Sequence, residues 1–188
     1  AFTVTDIPRP SVPDNHLLVS ALAPNSVALL TVIGKRVVDA GCNLLEARVS
    51  MLGQEVSVQL LASGTWDAIA KCENALGKIQ RDEQIALTIR RTGSRELAGN
   101  HLPYTVEAIA ADRPGILYQL GEFFARRGIT IESLSSSRYR ASTTGAEMFS
   151  AQIAIGIPAS AHISSLREDF LEFCDSLNLD AILEPVKG

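Results

Sequence analysis

Four consecutive residues, Asp112-Arg113-Pro114-Gly115, have the types that hold a small charged molecule. They follow an apolar run with strand character, Tyr104 to Ala111, and precede Ile116, Leu120, Phe123 and Phe124 at helical spacing. The first amides of a helix lack intrahelical partners, and the helix dipole favours negative charge beside them. A carboxylate can therefore settle at such a start. Gly115 removes a side chain where a ligand must approach the backbone. Pro114 sets φ for the first turn and sacrifices no needed donor. Asp112 can accept an ammonium group, with Arg113, Ile116 and Leu117 completing the candidate site. The same residues also describe an ordinary helix start with Asp112 as N-cap, and residue types alone leave both readings open.

A second stretch stands in the same setting. Asn25, Ser26, Val27 and Ala28 lie between the apolar run His16 to Ala23 and a helical pattern. Asn25 or Ser26 can cap that helix or hydrogen-bond a ligand, but Ala28 brings a methyl group to the position that Gly115 leaves bare. Asn43 and Thr130, each opening the strand after a helix, are expected near these turns, as polar contacts or as plain strand-edge residues.

Other chemistry finds little support. Cys42, Cys72 and Cys174 are odd in number, far apart and without a CxxC spacing, which reads as a reduced cytoplasmic chain with buried or incidental thiols. Three dispersed histidines (His16, His101 and His162) make no ligand cluster, so neither metal nor cofactor is expected. Ser135-Ser136 lacks the Gly-x-Ser-x-Gly setting of a hydrolase nucleophile, and no catalytic residue is assigned. Arg113 lies in the kind of turn that an acyl phosphate hydrolase uses, yet the glycine-rich cradle around it is missing. The net charge of −4, with basic residues no denser than the pairs Arg90-Arg91 and Arg126-Arg127, argues against direct nucleic-acid contact. No stretch is long and apolar enough to span a bilayer, and the start lacks the pattern of a signal peptide.

The elements that must position these residues occur twice. Aligning Gly41 with Gly128 sets an offset of 87 residues, at which Val19 meets Val106, Ala21 meets Ala108 and Leu30 meets Leu117. In the first copy a strand is followed by a helix on Val27, Leu30, Val37 and Val38, closed by Gly41. Leu45, Ala47, Val49 and Met51 then alternate with polar residues as in a half-buried strand, and Val56, Val58 and Leu60 return as a hairpin. A second helix with Trp66, Ile69, Ala70 and Leu76 inward and a last strand on Ile85, Leu87 and Ile89 complete the unit. The second copy keeps this order, with a longer polar hairpin tip at Ala141 to Gly145 and Ile163, Leu166, Phe170 and Phe173 inside its last helix. Aromatics are only 5% of the chain, so both cores are expected to rest on Ile, Leu, Val and Ala. The fold class is α+β: two tandem βαββαβ ferredoxin-like domains, each a four-stranded antiparallel sheet with two helices on one face. The expected organisation is an N-terminal arm at 1–14, domain 1 at 15–91, a linker at 92–102 and domain 2 at 103–188.

Asp112-Arg113-Pro114-Gly115-Ile116-Leu117, placed between the first strand and first helix of a βαββαβ unit, resembles the ACT domain. Gly41 to Arg48, Met51 to Glu55 and Ser63-Gly64-Thr65-Trp66 are similar to one group in that family, the tandem-ACT repressors of the glycine cleavage system. In the family this turn carries the ligand-binding backbone. The resemblance implies a non-catalytic, amino-acid-binding regulator of transcription, with glycine as the signal and a DNA-bound LysR-type activator as the protein partner. Open sheet edges add the expectation of pairing, as a homodimer or between the two domains, with ligand sites at the seams. The first turn departs from the family pattern at Asn25, Ser26, Val27 and Ala28. Two other functions stay open: an ACT regulator of a metabolic enzyme, and a small acyl phosphate hydrolase.

Overall fold

The computed structural model describes residues 15–81, 84–93 and 100–187. The expected arm at 1–14 and most of the expected linker lie outside these residues. The chain divides near residue 95 into two compact units, each with its own core. The first runs β1 (Asn15–Pro24), α1 (Leu29–Asp39), β2 (Asn43–Leu52), β3 (Glu55–Gly64), α2 (Trp66–Ile79) and β4 (Ala86–Thr92). The second runs β5 (His101–Ala111), α3 (Ile116–Arg126), β6 (Thr130–Arg140), β7 (Glu147–Pro158), α4 (Ile163–Ser176) and β8 (Asp180–Pro185). The sheets are ordered β2-β3-β1-β4 and β6-β7-β5-β8, and every neighbouring pair is antiparallel. Each unit is thus a βαββαβ sheet-and-helix sandwich.

The repeat extends to irregularities. α1 and α3 start and end 87 residues apart, and so do the starts of β2 and β6. Each of those strands carries one bulge, at Leu45 and at Glu132, also 87 residues apart. An extra residue bends the strand locally, so both sheets bend at equivalent places.

Burial follows strand alternation in the central strands. Leu17, Val19, Ala21 and Ala23 of β1 are buried, as are Val58, Leu60 and Ala62 of β3. The helices show corrections. α1 buries Leu29, Ile33 and Val37, while Leu30 and Val38 face outward and Val27 precedes the helix. α2 buries Ala68, Ile69, Cys72, Leu76 and Ile79, and leaves Trp66 exposed at its first position. α4 buries Leu166, Phe170 and Cys174, with Ile163 and Phe173 packed at the margin. β2, read as half-buried, is exposed at every position; it is an edge strand, paired with β3 alone among the described strands.

The cores also differ in composition. Unit 1 is aliphatic with Cys42 and Cys72, as the low aromatic content predicts. Unit 2 instead centres on Phe123, Phe124, Phe149 and Phe170, so the few aromatics are concentrated rather than spread. β5 starts three residues before Tyr104, inside the stretch read as linker, because backbone pairing of His101 with Pro158 and of Leu102 with Ile157 needs no apolar side chain.

Candidate functional site

The β5–α3 turn forms a site from three elements. β5 delivers Asp112, whose amide donates to the Glu147 carbonyl at 2.9 Å and anchors the turn to β7. Gly115 takes a left-handed conformation, φ 89°, and serves as the N-cap of α3. An L residue is disfavoured in that conformation. No side chain caps this helix, so Asp112 is not the N-cap. Its carboxylate turns instead to Arg138 on β6, whose Nε lies 2.7 Å away, and it is only 20% exposed. The first amides of α3 are left without a side-chain acceptor at the mouth of a cavity of about 410 Å³.

Five of the residues read from the sequence line this cavity: Asp112, Arg113, Gly115, Ile116 and Leu117. Pro114 shapes the turn but does not line the cavity. Ile116 is buried, so it offers its backbone rather than its side chain. Arg113 is partly drawn off: one guanidinium nitrogen donates to the Leu177 carbonyl beyond α4 at 3.0 Å, another to Gln119 Oε1 at 3.4 Å.

Sequence reasoning missed the opposite wall, made by Ser136, Ser137, Arg138 and Phe149. Arg138 pairs with Phe149 across the β6–β7 ladder, and Phe149 pairs with Ala110, two residues before Asp112. The available signal was hairpin register: counting back from the polar tip 141–145 places Arg138 beside the end of β5. Arg138 also lies 3.9 Å from Glu147, which Arg140 holds at 2.8 Å. An alternating charge network therefore runs from Asp112 and Arg138 in the cavity wall to Glu147 and Arg140 beside it.

Thr130 does not join it. It pairs with Gly156 at the far end of β6, eight residues from Arg138, roughly 26 Å along a strand. Asn43 likewise pairs with Ser63, at the end of the sheet opposite Pro24 and Glu55. The physical reason is connectivity: the helix returns along the sheet before the next strand begins, so that strand starts at the end away from the turn.

The first turn is built differently. Neither Asn25 nor Ser26 caps α1; the N-cap is Ala28, with no side-chain bond. The Asn25 amide donates to the Gln54 carbonyl at 3.0 Å and the Val27 amide to the Pro24 carbonyl at 3.0 Å. The Leu29 amide, the first of the helix, donates to the Val27 carbonyl at 2.8 Å. A donor that the second turn leaves open is consumed here.

The cysteines lie in the cores. Burial pushes the Cys42 thiol up, the Cys72 thiol to about 12 and the Cys174 thiol to about 11, so all three are protonated near neutral pH. Among the described residues no group of three His, Cys, Asp or Glu side chains is placed to hold a metal ion. No helix among them is long and apolar enough to cross a membrane.

Comparison with known proteins agrees with this architecture. Residues 15–90 match the ACT domain family. The chain is 26% identical to the glycine cleavage system transcriptional repressor of Escherichia coli (strain K12) over 172 residues, 92% of this chain and 90% of the relative, and equally to that of Shigella flexneri. A crystal structure described as a candidate glycine cleavage system transcriptional repressor superposes with a TM-score of 0.66 at 23% identity, covering 93% of this chain and 99% of that one. A protein of unknown function from Galdieria sulphuraria has the same fold, with a TM-score of 0.75 at 17% identity over 93% of this chain and 99% of its own. Residues 15–90 belong to the ACT family, the second unit repeats their fold, and the chain resembles the glycine cleavage system transcriptional repressor over most of its length.

Proposed function

We propose that this chain is a non-catalytic regulator that binds a small amino acid at the β5–α3 turn and represses transcription by contact with a DNA-bound LysR-type activator. One observation carries the ligand reading: the uncapped start of α3, behind a left-handed Gly115, opens into a cavity with Asp112 and Arg138 at its rim. The amides of Ile116 and Leu117 receive the ligand carboxylate. Asp112 accepts the ammonium, while Arg138 holds its carboxylate in place. The hydroxyls of Ser136 and Ser137 are within the same lining. The first turn, with its Leu29 amide already bonded, does not take part.

Glycine is the ligand that the relatives' name suggests, since the product they repress is the glycine cleavage system. A net charge of −4 supports action through protein rather than phosphate. We place the protein in the cytoplasm as a homodimer. The open edges β2 and β6, exposed along nearly their whole length, are the surfaces for that pairing, with ligand sites at the seams.

Calorimetric titration with glycine and a panel of other amino acids, on the wild type and on Asp112→Ala, tests this. Saturable binding of one amino acid, weakened in the variant, is the expected result. Absence of binding by any of them would reduce the turn to a helix start and move sensing to a partner. Recovery of a metabolic enzyme and no LysR-type protein from cell extract would favour an enzyme regulator instead.

A further inference from the structure

The outer groove between the helices is present in both units and carries opposite charge. In unit 1 it has a volume of about 510 Å³ and includes Lys35, Arg36, Asp39, Lys71 and Lys78. In unit 2 it has a volume of about 540 Å³ and includes Glu122, Phe123, Arg126, Asp169, Glu172 and Phe173. At the repeat offset of 87, Lys35 corresponds to Glu122 and Asp39 to Arg126, so the ion pair along the first helix is inverted between units. Both of those pairs satisfy themselves internally. What remains differs in sign. Among the described residues Arg36, Lys71 and Lys78 form no ion pair in the first groove, nor do Asp169 and Glu172 in the second. Arg127 lies over the Phe123 ring at 3.6 Å and offsets only one of those two carboxylates. The floors differ as well: Ala40 and Ala75 in the first groove, and Phe123 and Phe173 with centroids 4.6 Å apart in the second.

We infer that these grooves are mutually complementary docking surfaces, the basic groove of unit 1 receiving the acidic groove of unit 2 from a second copy of this chain. Like grooves repel: two unit 1 grooves would bring unpaired cations together. Unlike grooves bring the unpaired cations Arg36, Lys71 and Lys78 on the rim of one towards the unpaired carboxylates Asp169 and Glu172 on the rim of the other. Every copy carries one groove of each kind. A twofold pair therefore makes the contact twice, and a rotation that fails to close makes an open chain. This surface is separate from the strand edges assigned to the homodimer above.

Charge reversal on the full chain tests the pairing by sedimentation. The variants are Lys71→Glu with Lys78→Glu, and Asp169→Lys with Glu172→Lys, with circular dichroism to establish that each is folded. The wild type is expected to assemble beyond the edge-paired homodimer at low salt and to lose that further assembly near 1 M, where the screening length falls to about 3 Å. Each double variant alone should associate roughly tenfold more weakly. An equimolar mixture of the two should recover association, because one then offers two acidic grooves and the other two basic ones. Failure of the wild type to assemble beyond the edge-paired homodimer overturns the inference. So does unchanged association in both variants, as a purely edge-to-edge dimer would give, or a mixture no stronger than its components.

Discussion

At the scale of single residues, Gly115 and Gly121 make opposite predictions for the same substitution. Neither has an atom within 4 Å of an added Cβ, so sterics do not separate them. Backbone conformation does. Gly115 has φ 89°, where an L residue costs roughly 1–2 kcal/mol. Gly121 lies inside α3, where alanine is favoured over glycine by roughly 0.5–1 kcal/mol. Gly115→Ala should therefore lower the urea midpoint and Gly121→Ala raise it. A drop for both would mean that a neighbour, not the backbone, decides. The half of the site built from consecutive residues was legible in the sequence, because Asp112 to Leu117 carry their chemistry in order. Arg138 was not, since its place beside Asp112 depends on pairing across β6, β7 and β5, which local residue types do not encode.

At the scale of elements, the four helices fall into two capping classes. α2 is closed by Thr65, whose hydroxyl accepts from the Ala68 amide at 3.2 Å, and α4 by His162, whose Nδ1 accepts from the Ser165 amide at 3.3 Å. α1 and α3, the helices that follow the candidate turns, have no side-chain cap. Thr65→Ala should cost about 1 kcal/mol. Ser26→Ala, at a residue read from sequence as a possible cap, should change stability by no more than about 0.5 kcal/mol. Urea titration of the two variants side by side checks this; a cost at Ser26 equal to that at Thr65 would restore it as a cap. Element order was fully readable from hydrophobic periodicity and glycine positions, and both sheets are four-stranded and antiparallel, as expected. The misreadings share a cause. Leu45, Ala47, Val49 and Met51 alternate like a half-buried strand, and Leu30 and Val38 recur like a helix core, yet all except Ala47 are large apolar residues left in the open on an edge strand and an outer helix face. Periodicity shows which residues share a face; it does not show whether that face is covered.

At the scale of the whole molecule, the two cores are separate, and each holds at least one buried thiol whose ionisation works against folding. Burial disfavours the thiolate, and holds the Cys72 pKa near 12 and the Cys174 pKa near 11, above the ordinary value of 9.0. Below pH 9 both folded and unfolded thiols are protonated, and this contribution to stability is fully present. Above it the unfolded thiol releases its proton while the folded one keeps it. Stability therefore falls as pH rises towards 11 in unit 2 and 12 in unit 1, by up to about 1.4 kcal/mol per pH unit for each thiol. Because Cys72 and Cys174 lie in different cores, the loss affects both units rather than one. A Cys72→Ala, Cys174→Ala variant separates this from the titration of lysines and tyrosines. It should be less stable than the wild type near neutrality, because alanine leaves space that sulfur fills, but the gap should narrow on going to alkaline pH. Urea midpoints of the two proteins, measured in a reducing buffer across that range, give the comparison. A gap that stays constant would mean the thiols do not titrate with unfolding, and the alkaline limit of the fold would then belong to its surface charges.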